Sequence, residues 1–163
     1  MSALPLIDIA VESTLWEKAP DVYGWAAAAI GEAVLKSHVK LKPGAEISLL
    51  LADDAAIRKL NAQWRGKDQP TNVLSFPAPG AVEARPALGD IAIAYETCVR
   101  EAEAEHKSFR AHVTHLIAHG FLHLIGFDHE EEAQAVEMEA LEREILAALG
   151  IHDPYAAFVT GIE

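Results

Sequence analysis

The stretch His119 to His129, HGFLHLIGFDH, decides how this chain is read. His119 and His123 are four apart in a run of helical character, so their side chains stack on one face at the spacing where two imidazoles can share one metal ion. His129 follows six residues after His123. Between them Gly126 can adopt positive φ, end the helix and turn the chain back, so that a third imidazole reaches the same ion. Three neutral nitrogens with a fourth position open describe a catalytic zinc site better than a structural one, which four protein ligands close. His119, His123 and His129 are the expected ligands, with zinc (Zn2+) as the expected ion, one per chain. Nickel (Ni2+) or another divalent transition ion is equally compatible with imidazole, because availability decides occupancy.

His115 offers a rival triplet with His119 and His123, spaced by four on the same face. On a straight helix the outer two of that triplet lie eight residues, or about 12 Å, apart, whereas each zinc to nitrogen bond spans only about 2 Å. His115 is therefore left as a residue that packs behind the ligands or supports them. Position 120 carries as much information as the histidines do. Zincin proteases use H-E-x-x-H, extended in metzincins to H-E-x-x-H-x-x-G-x-x-H, and the Glu takes a proton from the attacking water. Here the histidines and the internal glycine stand at that spacing, but residue 120 is Gly. Peptide hydrolysis loses its proton acceptor, while a metal ion can still lower the pKa of water and polarise a phosphoryl oxygen.

Three blocks of the sequence resemble the bacterial YbeY family: HGFLHLIGFDH, the segment Asn61 to Pro77 (NAQWRGKDQPTNVLSFP), and Leu88 to Ile93 (LGDIAI). The resemblance implies a metal-dependent endoribonuclease specific for single strands, acting in ribosomal RNA maturation at the 3′ end of 16S RNA and in ribosome quality control. It also implies partners in the small ribosomal subunit and its assembly factors, and a catalytic role for Arg65. Two other readings stay open, a metalloprotease with an atypical base and a non-enzymatic ribosome-assembly factor with a structural metal.

Arg65 follows Trp64 and precedes a Gly-Lys-Asp turn, so it can project from a helix end into a cleft. Its planar guanidinium suits a phosphate on which charge builds in the transition state, beside the metal ligand His119. Lys67 is a further candidate for RNA contact. Thr71, Asn72 and Ser75 fall on a strand whose edge could hold an extended RNA, or else only close the preceding turn. Asp128 either orients a ligand imidazole or caps the last helix. Glu130, Glu131 and Glu132 read as a solvated first turn, or as the source of the proton acceptor missing at position 120.

A chain of 163 residues that is 51% hydrophobic is expected to form one domain, residues 1–163, with a sizeable core. The opening MSALPLIDIAVEST has no basic leader, no apolar run is long enough to span a membrane, and the single cysteine, Cys98, excludes an internal disulfide. A cytoplasmic protein with no membrane partner is the expectation. The formal charge of −12 argues against broad binding to nucleic acid, which depends on basic residues displacing counterions. Much of that charge lies in residues 96–105 and 130–144, in helical segments able to face away from substrate.

Periodicity and turn signals predict strands near 6–11, 46–51, 71–76 and 89–95. Helices are predicted near 21–38, 53–65, 96–106, 109–125 and 130–149. The near-continuous apolar run EISLLL predicts a central strand covered on both faces. The class is α+β, zincin-like, with a four-stranded mixed sheet, about five helices and the metal-binding helix in the C-terminal half. Strand order comes from the comparison with zincins, in which the active-site helix lies beneath a sheet whose edge strand borders the cleft.

Overall fold

Four strands interspersed with two helices are followed by three consecutive helices in a computed structural model that describes residues 3–155. The strands are β1 (Leu6–Val11), β2 (Glu46–Ala52), β3 (Val73–Pro77) and β4 (Ala87–Ala94). The helices are α1 (Val22–Ser37), α2 (Asp54–Arg65), α3 (Tyr95–Ala104), α4 (Phe109–Leu124) and α5 (Glu132–Ala148). Short 3-10 helices at Thr14–Lys18 and Val82–Ala84 have no counterpart in the periodicity, because one turn is too short to show a period.

The sheet order is β1-β2-β4-β3, with β1, β2 and β4 parallel and β3 antiparallel to β4. β3 is thus an edge strand, and α4 packs against both it and β4. One face of the sheet carries the main core. Ile47, Leu49 and Leu51 of β2 with Ile91 and Ile93 of β4 meet Ala29, Ile30 and Ala33 of α1 and Ile117, Phe121 and Leu124 of α4. Burying each large aliphatic side chain contributes roughly 1.5–3 kcal/mol, which makes this layer the main source of stability.

The opposite face departs from expectation. β2 is central, but only one of its faces is sealed: Ser48 and Leu50 remain half-exposed. The twelve residues of α2 cover just one end of that face, where Ile57 packs with Ala52, Leu74, Ala92 and Ala94 in a second, smaller cluster. An apolar run in a strand reports that it is central, and says less about how far a short helix can reach across it. Trp64, at the end of α2, is 61% exposed for the same reason and rests its edge against Phe76.

Local signals set the helix boundaries that matter for the site. The Asp53 side chain accepts the Ala56 N–H at 2.9 Å to start α2, and Ser108 accepts the Ala111 N–H at 3.0 Å to start α4. Gly66 in the left-handed region ends α2 and leaves Arg65 as its last residue. Among the described residues, no helix is long and apolar enough to cross a membrane.

Candidate metal centre

His119 and His123 project from the last two turns of α4, and their Nε2 atoms face each other at 3.1 Å. Two nitrogens bound to one tetrahedral ion at about 2.0–2.1 Å stand about 3.3 Å apart, so the spacing suits a shared ion. Beyond Leu124 the Phe127 N–H donates to the Leu122 carbonyl at 2.9 Å and the Gly126 N–H to the His123 carbonyl at 3.1 Å. Gly126 has φ of 108°, a conformation that reverses the chain and is strained for any side chain. That reversal brings His129 back, and the ligand nitrogens of His119, His123 and His129 all lie within 4.8 Å of one another. His119 and His123 are half-buried, while His129 is exposed, which leaves the cluster open to solvent on one side. Burial, reinforced by the neighbouring His119 and His129 rings, pushes His123 below the ordinary histidine value, which favours the neutral form that a metal ligand requires.

The donor set fits a borderline-soft divalent ion, with three imidazoles and room for a further ligand. His115 is not part of it. Its Nε2 is in hydrogen-bond contact with Glu142 Oε1, and its Nδ1 is buried without a partner.

Glu142, on α5, is the residue of this centre that sequence reasoning missed. It is fully buried and accepts hydrogen bonds from His115, from His119 Nδ1 at 3.2 Å and from the Tyr155 hydroxyl at 2.7 Å. Burial alone would raise its pKa, but the hydrogen bonds from His115 and His119 outweigh it and hold the carboxyl down to about 2. In the sequence Glu142 belongs to the acidic stretch 130–144, which reads as a helical segment able to face away from substrate. The available signal was its phase, since Met138, Glu142 and Ile145 share one buried face and a carboxylate in an apolar stripe calls for partners. Asp128, by contrast, neither caps α5 nor is seen on an imidazole; its Oδ1 accepts the backbone N–H of His129 at 2.6 Å.

A cleft of about 820 Å³ runs between α4 and the β3 edge. Its lining includes His119, His123 and His129 together with Arg65, Lys67, Asn72 and Ser75. The Arg65 Nη2 donates to the Ser75 carbonyl at 2.6 Å, and its guanidinium lies 5.1 Å from the Phe76 ring centroid. Asn72 has one polar contact at each end of its amide: Nδ2 donates to Glu101 at 2.9 Å, and Oδ1 accepts the Val73 N–H at 2.7 Å. The Ser75 hydroxyl donates to the Gly120 carbonyl at 3.3 Å, across the seam between β3 and α4. Buried Asn61 donates to the Gln69 carbonyl at 2.8 Å and so anchors the turn that carries Lys67. Asp128 and Glu130 are the carboxylates lining the cleft among the described residues.

Gly120 explains its own identity. A Cβ there would stand 3.1 Å from Ile91 Cγ2 and 3.1 Å from Ser75 Oγ, so α4 lies against β3 and β4 with little space for a side chain at this position. The position that carries the base in zincin proteases is here a packing contact.

The family model for "Endoribonuclease YbeY" matches residues 18–150. The chain belongs to the YbeY family. Curated members include Endoribonuclease YbeY of Methylocella silvestris, 55% identical and covering 98% of this chain and 90% of the relative. That of a Bradyrhizobium species is 52% identical over 95% of each chain. The solution structure of TM1509 from Thermotoga maritima matches the fold with a TM-score of 0.57, at 24% identity, over 93% of this chain and all of the other. Family membership and the α+β fold with a mixed sheet agree with the reading of the three sequence blocks.

Proposed function

We propose that this chain, as one domain spanning residues 1–163, is a metal-dependent endoribonuclease that cuts single-stranded RNA during maturation of ribosomal RNA. Its relatives are named endoribonucleases, and the chain is an endoribonuclease of that family. The observation that carries the metal-dependent reading is the convergence of three imidazoles within 4.8 Å at the floor of an open cleft whose other wall holds Arg65.

In this reading His119, His123 and His129 hold the ion, which is zinc or a similar transition ion. When bound, it supplies Lewis-acid polarisation and an activated water. Arg65 sits at the end of α2, stacked on Phe76, and can transfer its guanidinium from the Ser75 carbonyl to a phosphate oxygen as negative charge develops. Lys67 adds positive charge at the rim. Ser75, and the part of the Asn72 amide not used within the chain, face the cleft where an extended strand would run along β3. Glu130, exposed and lining the cleft, is placed to take a proton, whereas Glu131 and Glu132 lie outside it. A cytoplasmic setting, and work on the small ribosomal subunit with its assembly factors, belong to the same proposal.

The protease alternative is weakened by the packing of Gly120 against the sheet. An assembly factor with a purely structural metal fits poorly with an exposed His129 and an open cleft. The test is incubation of zinc-loaded protein with labelled unstructured RNA and with casein, using His123→Ala as the control for contaminating nuclease. Wild type should cut the RNA and leave casein intact, and the variant should cut neither. Casein cleavage by wild type alone would overturn the assignment.

A further inference from the structure

A fully buried carboxylate needs donors, and Glu142 has three, drawn from two parts of the structure. His115 and His119 come from α4, one turn apart, and Tyr155 comes from the segment that follows α5. His115 Nδ1 is buried without a partner, so the proton of that ring belongs on Nε2, where Glu142 accepts it. The same reasoning applies to His119. Its Nδ1 faces Glu142 Oε2 at 3.2 Å, and its Nε2 faces His123 at 3.1 Å. An acceptor-only carboxylate on one side of the ring requires N–H there and leaves the lone pair on the side of His123 and His129. His123 has a corresponding partner in a backbone hydrogen bond with Phe127.

We infer that Glu142 is a positioning residue of the metal centre: it fixes the tautomer and ring plane of His119, with His115 and Tyr155 as the donors that hold the carboxylate in place. The inference rests on the reading of His119, His123 and His129 as ligands. It gives His115 a task distinct from coordination and builds α5 and Tyr155 into the centre, although neither reaches the cleft lining. An acceptor behind a ligand imidazole typically improves metal affinity by about 10–100-fold.

The experiment uses the full chain with zinc as the probe. Zinc affinity and stoichiometry are measured by chelator competition for wild type, Glu142→Gln and His115→Ala. Nuclear magnetic resonance of ¹⁵N-histidine protein reports which nitrogen of His119 carries the proton. In wild type a slowly exchanging proton should sit on His119 Nδ1 with and without zinc. Glu142→Gln should weaken that protection, because one amide oxygen is left to serve two rings, and should bind zinc about 10–100-fold more weakly. His115→Ala should keep the His119 proton on Nδ1 and bind one zinc.

The inference is overturned if wild-type His119 has no proton on Nδ1, an outcome readable even where Glu142→Gln does not fold. It is also overturned if the variant matches wild type in both affinity and protection. Two zinc ions in wild type, one of them lost in Glu142→Gln, would instead make Glu142 a ligand in its own right. Failure of wild type to bind zinc at all would reject the ligand reading itself, and is thereby distinguished from failure of the Glu142 inference.

Discussion

Alanine in place of His119, His123 or His129 should each abolish stoichiometric metal binding, while His115→Ala should retain nearly one ion per chain. The three rings converge to within 4.8 Å, and His119 and His123 face each other through Nε2 at 3.1 Å. Removing any one leaves two imidazoles, too few to hold a tetrahedral ion against water and buffer ligands. His115 engages Glu142 through its Nε2 and stands outside the His119, His123 and His129 cluster, so its loss removes none of those three nitrogens. Elemental analysis of purified, desalted protein reads the result. An empty site in His115→Ala combined with a full one in His129→Ala would reverse the ligand assignment.

Arg65→Ala should lower single-turnover cleavage by about 10²–10³, the range found when one preorganised donor to a developing oxyanion is removed. Metal content and fold should stay intact, because the guanidinium is exposed and its contacts are the Ser75 carbonyl and the Phe76 ring. RNA affinity should fall only modestly, since the contact strengthens as charge builds in the transition state. Lysine should rescue poorly, as a point charge reproduces neither the stack on Phe76 nor a two-pronged phosphate contact. With a net charge of −12, binding that remains should weaken steeply with salt. Parallel measurements of single-turnover cleavage and equilibrium binding, each at two salt concentrations, separate these effects. Cleavage by Arg65→Ala at the wild-type rate would make Arg65 an ordinary surface arginine.

Much of this was legible in the sequence because the deciding signals are local. The i, i+4 histidines, the glycine that reverses the chain after α4 and the caps Asp53 and Ser108 each act within a few residues, and each is found where local chemistry puts it. Long-range features were less accessible. The half-open second face of β2 depends on how far α2 extends across the sheet, which no property of EISLLL encodes. Glu142 was hidden for a related reason: its partners His115 and His119 stand 27 and 23 residues away, so only its helical phase hinted at burial. Asn72 and Ser75 line the cleft beside the β3 edge. Their engagement with Glu101 and Gly120 follows from the packing of α3 and α4, which sequence does not display.

The central claim joins one ion, three histidines and RNA cleavage, and a single titration tests the three together. Protein stripped by chelation and returned to zinc in steps should cleave a labelled single-stranded RNA at a rate that rises linearly and levels off at one equivalent per chain. His123→Ala should stay flat throughout. Cleavage by the stripped wild type that is undiminished and indifferent to added zinc would contradict the account.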